Sequence, residues 1–542
     1  MYNNKLKVII MPVVIALAIV LGMFINSLFS RNPMVGGQQG GGFLPVQGSK
    51  LDMIMNMINY SYVDTVDIKK IEEGAIPLLI KDLDPHTVYI PAKDMPRVNE
   101  EMAGNFGGIG VQFYKYRDTV MVIKVVPGGP SELAGIQDGD RIVKVNDSIV
   151  AGRKMDTDKI MKMMRGEMGS EVKLTIMRPG EKTPIVKDIV RGTIPVKSVD
   201  VAYMANDTTG YVKVKVFGMN TYNEFVAALD TLQKQGMKRL VVDLRWNEGG
   251  ILPIAIRMIN EFLPDQKLIL YTQGKASPRV DYNSNGKGRY QDLPVTVLIN
   301  EFSASASEIF AGAIQDNDRG VIIGRRSFGK GLVQEQRPLP DGSALRLTVA
   351  RYYIPSGRSI QKPYDQGKEK YYNDLNERLL HGEFEQEDSI HFDEKLKYQT
   401  VGGRTVYGGG GVMPDLFIPA DTVGGSRYLN RLDRTQTMYE YAISFVDRHR
   451  PEMKGIKDYK QLLKYLDKFN LVDGLVAYAE KRGIKPDAKG IRTSRDIMDI
   501  TVKSFIGRLI LDDDGFYPIY GLKDNTLGKA LENSSVVKLQ QE

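Results

Sequence analysis

Three serines crowd one short stretch, Asn300-Glu301-Phe302-Ser303-Ala304-Ser305-Ala306-Ser307-Glu308, and a lysine between glycines follows in Ser327-Phe328-Gly329-Lys330-Gly331. A serine hydroxyl attacks an acyl carbon only when a neighbouring base takes its proton. The chain has no cysteine and four histidines (His86, His381, His391 and His449), none close in sequence to the serine-rich turn. A histidine distant in sequence but near in space is one candidate base, and Lys330 is the other. It can act only when neutral, and bringing a lysine from about 10.4 toward 7–8 disfavours its charged form by roughly 4 kcal/mol, which demands apolar surroundings. Phe328, Leu332 and Val333 are suitable material. Gln334 lies four residues on, hence on the same side of a strand or a helix, where its amide orients the amine without adding charge. Ser305-x-x-Glu308 also reads as a capping box opening a helix. The same geometry presents a hydroxyl at a strand-to-helix turn and aims helix-start N–H groups at a developing oxyanion. Spacing alone leaves all three serines open. Gly249-Gly250, after Arg245-Trp246-Asn247, reads as a tight turn or as a loop offering backbone N–H groups to an oxyanion.

Lys330 also ends Gly324-x-x-x-x-Gly329-Lys330, close to a phosphate-binding loop. Gly331 stands where that loop needs a metal-binding hydroxyl, and Leu332–Gln336 reads as strand where a helix is required, so nucleotide binding is disfavoured.

The elements that must position these residues follow from periodicity. Strand Arg239–Leu244 runs into the Gly249-Gly250 loop and a helix over Ile251–Phe262; strand Val295–Ile299 runs into the serine-rich turn and a helix over Ser307–Gln315. Strand Val321–Ile323 leads to the lysine loop, and strands Leu332–Arg337 and Ala344–Tyr353 flank a Pro340-Asp341-Gly342-Ser343 hairpin turn. Upstream, short strands at Gly110–Tyr116, Thr119–Val126, Arg141–Asn146, Glu171–Arg178 and Pro184–Val190, with helices at Ser131–Ala134 and Asp156–Arg165, form a small β-rich module. Gly107, Gly108, Ile109 and Gly110 open its first strand, where successive N–H groups can converge on a peptide carboxylate, while Ile160, Met161, Met163 and Met164 line a groove or fill a core. Lys362–Lys397 is dense in charge and tyrosine and reads as a solvated insertion; the tail from Arg427 is helical in pattern.

At 542 residues the chain is several domains, and 42% hydrophobic with 26% charged residues marks a folded protein. The absence of cysteine rules out disulfides and thiolate zinc, and 73 Lys+Arg against 66 Asp+Glu is too small an excess to argue for nucleic acid. Lys5 and Lys7 precede the uncharged run Val8–Ser30, whose 23 residues span about 35 Å as a helix, enough for a hydrocarbon core of roughly 30 Å. It reads as an uncleaved anchor in preference to a secretory signal, with the bulk of the chain outside the cytoplasm.

Six ordered stretches resemble the carboxyl-terminal processing peptidases, or tail-specific proteases. These are Gly128-Gly129-Pro130-Ser131-Glu132-Leu133-Ala134-Gly135 with Asp138-Gly139-Asp140 in the module; Asp243–Gly250; the serine-rich segment; Ser327-Phe328-Gly329-Lys330-Gly331-x-Val333-Gln334; Asp341–Leu345; and Ala350-Arg351-Tyr352-Tyr353-x-Pro355-Ser356-Gly357-Arg358. The resemblance implies a multidomain α/β protein, a crotonase-like α/β protease core with an inserted PDZ-like β-rich domain, helical N-terminal and C-terminal regions and one N-terminal transmembrane helix. Its boundaries are an anchor at 1–31, a Gly/Gln-rich linker at 32–49, a helical region at 50–100, the PDZ-like domain at 101–192, the core at 193–424 with the polar insertion 362–397, and C-terminal helices at 425–542. It implies a Ser–Lys endopeptidase, with the nucleophile 25 positions before the lysine, which is Ser305. Gln334 would orient Lys330, and Gly249 or Gly250 with the Ala306 N–H would form the oxyanion hole. Gly107–Gly110 would hold the C-terminus of substrates with apolar tails. No metal or cofactor is implied. A homo-oligomer is compatible, and so is a secreted form if the leader is cleaved. Trp246 departs from the smaller or polar residue expected there. The rival class is a catalytically silent PDZ scaffold that binds C-termini at a membrane.

Overall fold

The structure is a computed structural model and describes residues 49–532. The expected anchor at 1–31 and nearly all of the 32–49 linker lie outside the described residues. Among the described residues no helix is long and apolar enough to cross a membrane. The chain divides into two compact units at Gly74 and Ala75. Helices Lys50–Ser61 and Ile68–Leu79 open the region expected to be helical, and neither buries a residue.

The core is built on a six-stranded sheet. Val199–Met204 runs antiparallel to Thr209–Val214, after which Arg239–Asp243, Val295–Ile299, Gly320–Gly324 and Leu416–Phe417 follow in parallel. Every residue of Thr209–Val214, Val295–Ile299 and Gly320–Gly324 is buried, as strands covered on both faces require. Helices Thr221–Lys234, Leu252–Asn260 and Ala306–Asp316 pack their apolar residues into this core around Phe217, Phe225, Phe262 and Phe310. Ala306–Asp316 is buried along its whole length. Its polar groups therefore need internal partners. Arg358, itself fully buried, pairs with Asp316 at 2.9 Å.

A second sheet stands beside it. The long strand Ala344–Tyr353 pairs with Leu332–Pro338, Leu268–Gln273 and Val88–Ile90, and Val280–Asn283 extends the sheet from Leu268–Gln273. Val88–Ile90 corrects the reading of 50–100 as helical throughout. Its three residues are too short a run to declare a period, and pairing with the long strand fixes them.

The β-rich module holds its five expected strands to within a residue or two, in the order Val111–Tyr116, Thr119–Val125, Arg141–Val145, Glu171–Met177, Ile185–Val190. Ser148–Ile149 adds a short strand, and helices Pro130–Leu133 and Thr157–Met164 match expectation. Asn105–Gly108 is a strand of its own that pairs with Gly192–Pro195 and closes the neck of the module.

The insertion is the main correction. Within 362–397 lies the helix Lys368–Leu380, on which Tyr371 and Arg378 are buried, and Lys362 is buried before it. Two buried positions seven residues apart share one face of a helix, and the charge density around them hid the pattern. Downstream, the tail from Arg427 is helical as expected, with Arg427–Arg434, Thr437–Met453, Tyr459–Leu466, Leu471–Lys481, Ala488–Leu511, Asp513–Gly521 and Asn525–Glu532.

Candidate active site

The loops that carry the candidate residues leave the carboxyl ends of neighbouring parallel strands, where open α/β sheets place their sites. Strand Arg239–Asp243 delivers the Gly249-Gly250 loop, Val295–Ile299 delivers the serine-rich turn, and Gly320–Gly324 delivers the lysine loop. The first two loops are stitched together. Ser303 Oγ donates to the Leu244 carbonyl at 2.8 Å, Ala304 N–H to the Asn247 carbonyl at 3.0 Å, and Ser307 Oγ to the same carbonyl at 2.8 Å. The Trp246 N–H donates to Asn300 Oδ1 at 2.9 Å.

These bonds separate the three serines. Ser303 and Ser307 are fully buried, with hydroxyls committed to backbone carbonyls. Ser305 sits half-buried at the strand-to-helix turn with φ 53°, a left-handed value that a non-glycine residue holds only where its surroundings impose it. Ser305 lines a cavity of about 540 Å³ together with Lys330, Gln334, Gly250, Ala306 and Tyr352. Val98, Met102, Ile251, Leu252, Ile309 and Leu332 supply its apolar wall.

Lys330 Nζ donates to Gln334 Oε1 at 3.2 Å, and Gln334 Nε2 donates to the His86 carbonyl. A register shift between Val333 and Gln334 bulges the strand at that point, which re-aims the glutamine side chain. Burial holds the Lys330 amine below the usual lysine range, and the Arg346 guanidinium on the cavity wall adds to this; Glu308, Asp84 and Glu248 pull the other way. His86, distant in sequence, stands close by: its ring Nε2 lies 2.8 Å from the Tyr371 hydroxyl, and burial with the nearby Lys330 charge lowers its imidazole to about 4.

The expected oxyanion donors are not equivalent. The Gly249 N–H donates to Asn247 Oδ1 at 2.9 Å, whereas Gly250 is exposed and lines the cavity. Ala306 is the first residue of its helix, a position whose N–H has no acceptor within the helix. Gly249 lies against the turn itself, since a Cβ there would stand 2.7 Å from Ser305 Cβ. Trp246 is 64% exposed and stacks on Phe302 with ring centroids 4.1 Å apart, so its bulk lies on the surface and not among the cavity residues.

Two residues given no part in catalysis by the sequence organise the centre. Glu308 read as a capping residue, and the Ser305 N–H does donate to its Oε2 at 2.8 Å, but its carboxylate also accepts from Ser327, Gly329 and Lys330. The Tyr352 hydroxyl reaches both the Ser305 carbonyl, at 3.1 Å, and the Lys330 carbonyl. The insertion closes the far side of the lysine loop. Arg378 donates to the carbonyls of Ser327 at 3.0 Å and Arg326 at 2.8 Å, and the Tyr371 ring packs edge-on against Phe328.

In the β-rich module, Gly107 and Gly108 lie in the neck ladder opposite Thr193 and Gly192. Ile109 and Gly110 form the link into Val111–Tyr116, their carbonyls accepting from the Ser131 and Val126 N–H groups, each at 2.9 Å. The four residues thus share one bend, half ladder and half loop. On the helix Thr157–Met164, Ile160 and Met164 are buried in the module's core, while Met163 packs against it partly exposed. After the lysine loop the chain continues as the strand Leu332–Pro338, not as the helix a phosphate-binding loop needs. Among the described residues no group of three or more His, Asp or Glu side chains is arranged to hold a metal ion.

Residues 208–367 match peptidase family S41, residues 107–185 match the PDZ domain, and residues 428–512 match a family of unknown function. A probable CtpA-like serine protease of Staphylococcus haemolyticus (strain JCSC1435) is 34% identical over 313 residues, covering 57% of this chain and 62% of the relative. One from Staphylococcus aureus (strain N315) is 34% identical over 314 residues, 58% of this chain and again 62% of the relative. The chain thus spans less than two thirds of the length of the curated relatives it matches. Among solved structures, the photosystem II D1 C-terminal processing protease aligns over 68% of this chain and 92% of its own, at 25% identity and a TM-score of 0.34.

Proposed function

We propose that this chain, whose core carries a peptidase family S41 domain and whose β-rich module is a PDZ domain, is a serine endopeptidase that processes proteins held by their C-termini. The observation that carries the reading is Lys330: a half-buried amine with lowered basicity, bonded to a neutral glutamine, in the same cavity as Ser305.

Ser305 Oγ attacks the scissile carbonyl while Lys330 Nζ takes its proton, and the peptide nitrogen leaves carrying that proton back. Gly250 and Ala306 N–H groups receive the oxyanion, and Gly249 serves by being small enough to lie against the turn. Lys330 then takes a proton from water, which hydrolyses the acyl-enzyme and restores the hydroxyl. The apolar cavity wall suits apolar side chains next to the cleaved bond, and an apolar C-terminus would add along Val111–Tyr116 with its carboxylate at the Gly107–Gly110 bend. The apolar run Val8–Ser30 supports a membrane-anchored enzyme acting outside the cytoplasm, which fractionation of cells tests.

Cleavage of an unfolded protein with an apolar tail is the direct test. Ser305→Ala and Lys330→Ala should each abolish it, with the fold intact by circular dichroism and no effect of chelators. Tail binding without any fragments from the wild-type chain would instead identify a scaffold.

A further inference from the structure

Glu308 is fully buried, and the proposed chemistry does not use it. Its two oxygens accept four hydrogen bonds, two each. Oε1 takes the Ser327 hydroxyl and the Gly329 N–H, both at 2.6 Å, and Oε2 takes the Ser305 and Lys330 N–H groups, both at 2.8 Å. An ionised carboxylate has about four acceptor sites and nothing to donate. This one is filled, and its donors come from two different loops, one bearing the candidate nucleophile and the other the candidate base.

We propose that Glu308 is a positioning residue that works only while ionised, its carboxylate joining the Ser305 turn to the Lys330 loop through four hydrogen bonds at once. The inference rests on the Ser–Lys reading above. A protonated Glu308 must donate to something, and three of its four neighbours are backbone N–H groups that cannot accept. The fourth, Ser327 Oγ, already accepts the Val412 N–H at 2.6 Å and could take a proton from Glu308 only by giving up its own donation to that carboxylate. Protonation therefore breaks the junction between the loops.

The groups facing the carboxylate are Lys330 on the loop, Tyr352 on the long strand, and Lys362 and Tyr371 on the insertion. Both lysines favour its ionised form and burial opposes it. Against the pull of four donors, burial raises the carboxyl to about 7. The junction thus opens as pH falls through about 7. Protonation of the lowered Lys330 amine also shapes the acid limb, and variants must separate the two.

Glu308→Gln and Ser327→Ala do so by moving that limb in opposite directions. In Glu308→Gln the amide presents donors to donors, so kcat should fall about 10–100-fold with little change in KM. The negative charge that favours the protonated lysine is gone as well, so the acid limb of kcat should move to lower pH. Ser327→Ala removes one donor from the carboxylate and makes it easier to protonate, so its acid limb should move to higher pH. Glu308→Asp keeps the charge and should restore part of the rate with the limb near its wild-type place. Melting temperatures identify any variant that fails to fold, and Ser327→Ala carries the test if Glu308→Gln is such a variant. If Glu308→Gln turns over like wild type, or if both variants lose rate with the acid limb unmoved, Glu308 is structural only and the inference falls. If the wild-type chain does not cleave, or Ser305→Ala still does, it is the Ser–Lys reading that fails.

Discussion

At the scale of residues, the site depends on the close approach of one glycine to the serine turn and on the partial burial of one amine. Gly249 holds φ 104° with its missing Cβ pointed at Ser305, and an added methyl would stand 2.7 Å from Ser305 Cβ and 2.8 Å from the Ala304 carbonyl oxygen. Neither neighbour can yield, because the turn is tied down by Ser303 and Ser307. Gly249→Ala should therefore cost about 100-fold or more in kcat/KM by displacing the proposed nucleophile Ser305, a loss read in peptide-cleavage kinetics. The amine makes a different prediction. A lysine lowered in the folded state binds fewer protons there than in the unfolded chain, so its burial costs stability at neutral pH and less as pH rises toward its ordinary value of 10.5. Lys330→Met should be the more stable protein near pH 7, and its advantage should shrink steadily up to pH 10.5 in denaturant titrations.

At the scale of elements, the long periodic segments were legible because burial on one face repeats at the period of the element. Strands Val295–Ile299 and Ala344–Tyr353 fall where sequence placed them, and the helix after the serine-rich turn runs one residue longer at each end. The choice among the serines was legible only through family resemblance, since a committed hydroxyl and an open one look alike in sequence; the difference lies in carbonyls of a loop some sixty residues upstream. Glu308 was half-read for the same reason, its nearest bond local and its other three distant. The insertion was misread because its anchoring side is an arginine and a tyrosine, not an apolar stripe. Arg378 pairs with Glu383 at 3.1 Å and caps two carbonyls of the lysine loop. Arg378→Ala, which leaves two carbonyls of the lysine loop without their donor and Glu383 to Arg326 alone, should destabilise the protein by about 1–3 kcal/mol in urea titrations. Leu380→Asp on the same helix, at a residue 83% exposed, should change it by about 0.5 kcal/mol or less.

At the scale of the whole molecule, the C-terminal helices act as a bracket between the PDZ domain and the core. Strand Thr119–Val125 reads Thr-Val-Met-Val-Ile-Lys-Val, and its apolar residues do not alternate with polar ones as they would on a sheet with a wet face. The structure supplies the reason. Val120, Val122 and Val125 point into the PDZ core, while Met121 and Ile123 are buried among Tyr441, Phe445, Val446, Ile506 and their neighbours from the C-terminal helices. Arg141 pairs with Asp447 at 2.5 Å across the same interface, and the Tyr116 and Tyr478 hydroxyls meet at 3.2 Å. At its other end the region reaches the core, where Asp524 pairs at 2.6 Å with Arg245, the residue that leads into the Gly249-Gly250 loop, and the Tyr517 hydroxyl donates to Asp200 at 2.8 Å. The two faces of one strand should therefore fail differently. Val122→Ala opens a cavity inside the PDZ core, and Met121→Ala opens one beneath the helices; each should cost about 2–4 kcal/mol locally. Under limited proteolysis in native buffer, Met121→Ala should expose cleavage sites within 427–532 before any within the PDZ domain, and Val122→Ala should reverse that order. Identical digestion patterns for the two variants would mean that the helices and the PDZ domain open as one unit, with no separate bracket to release.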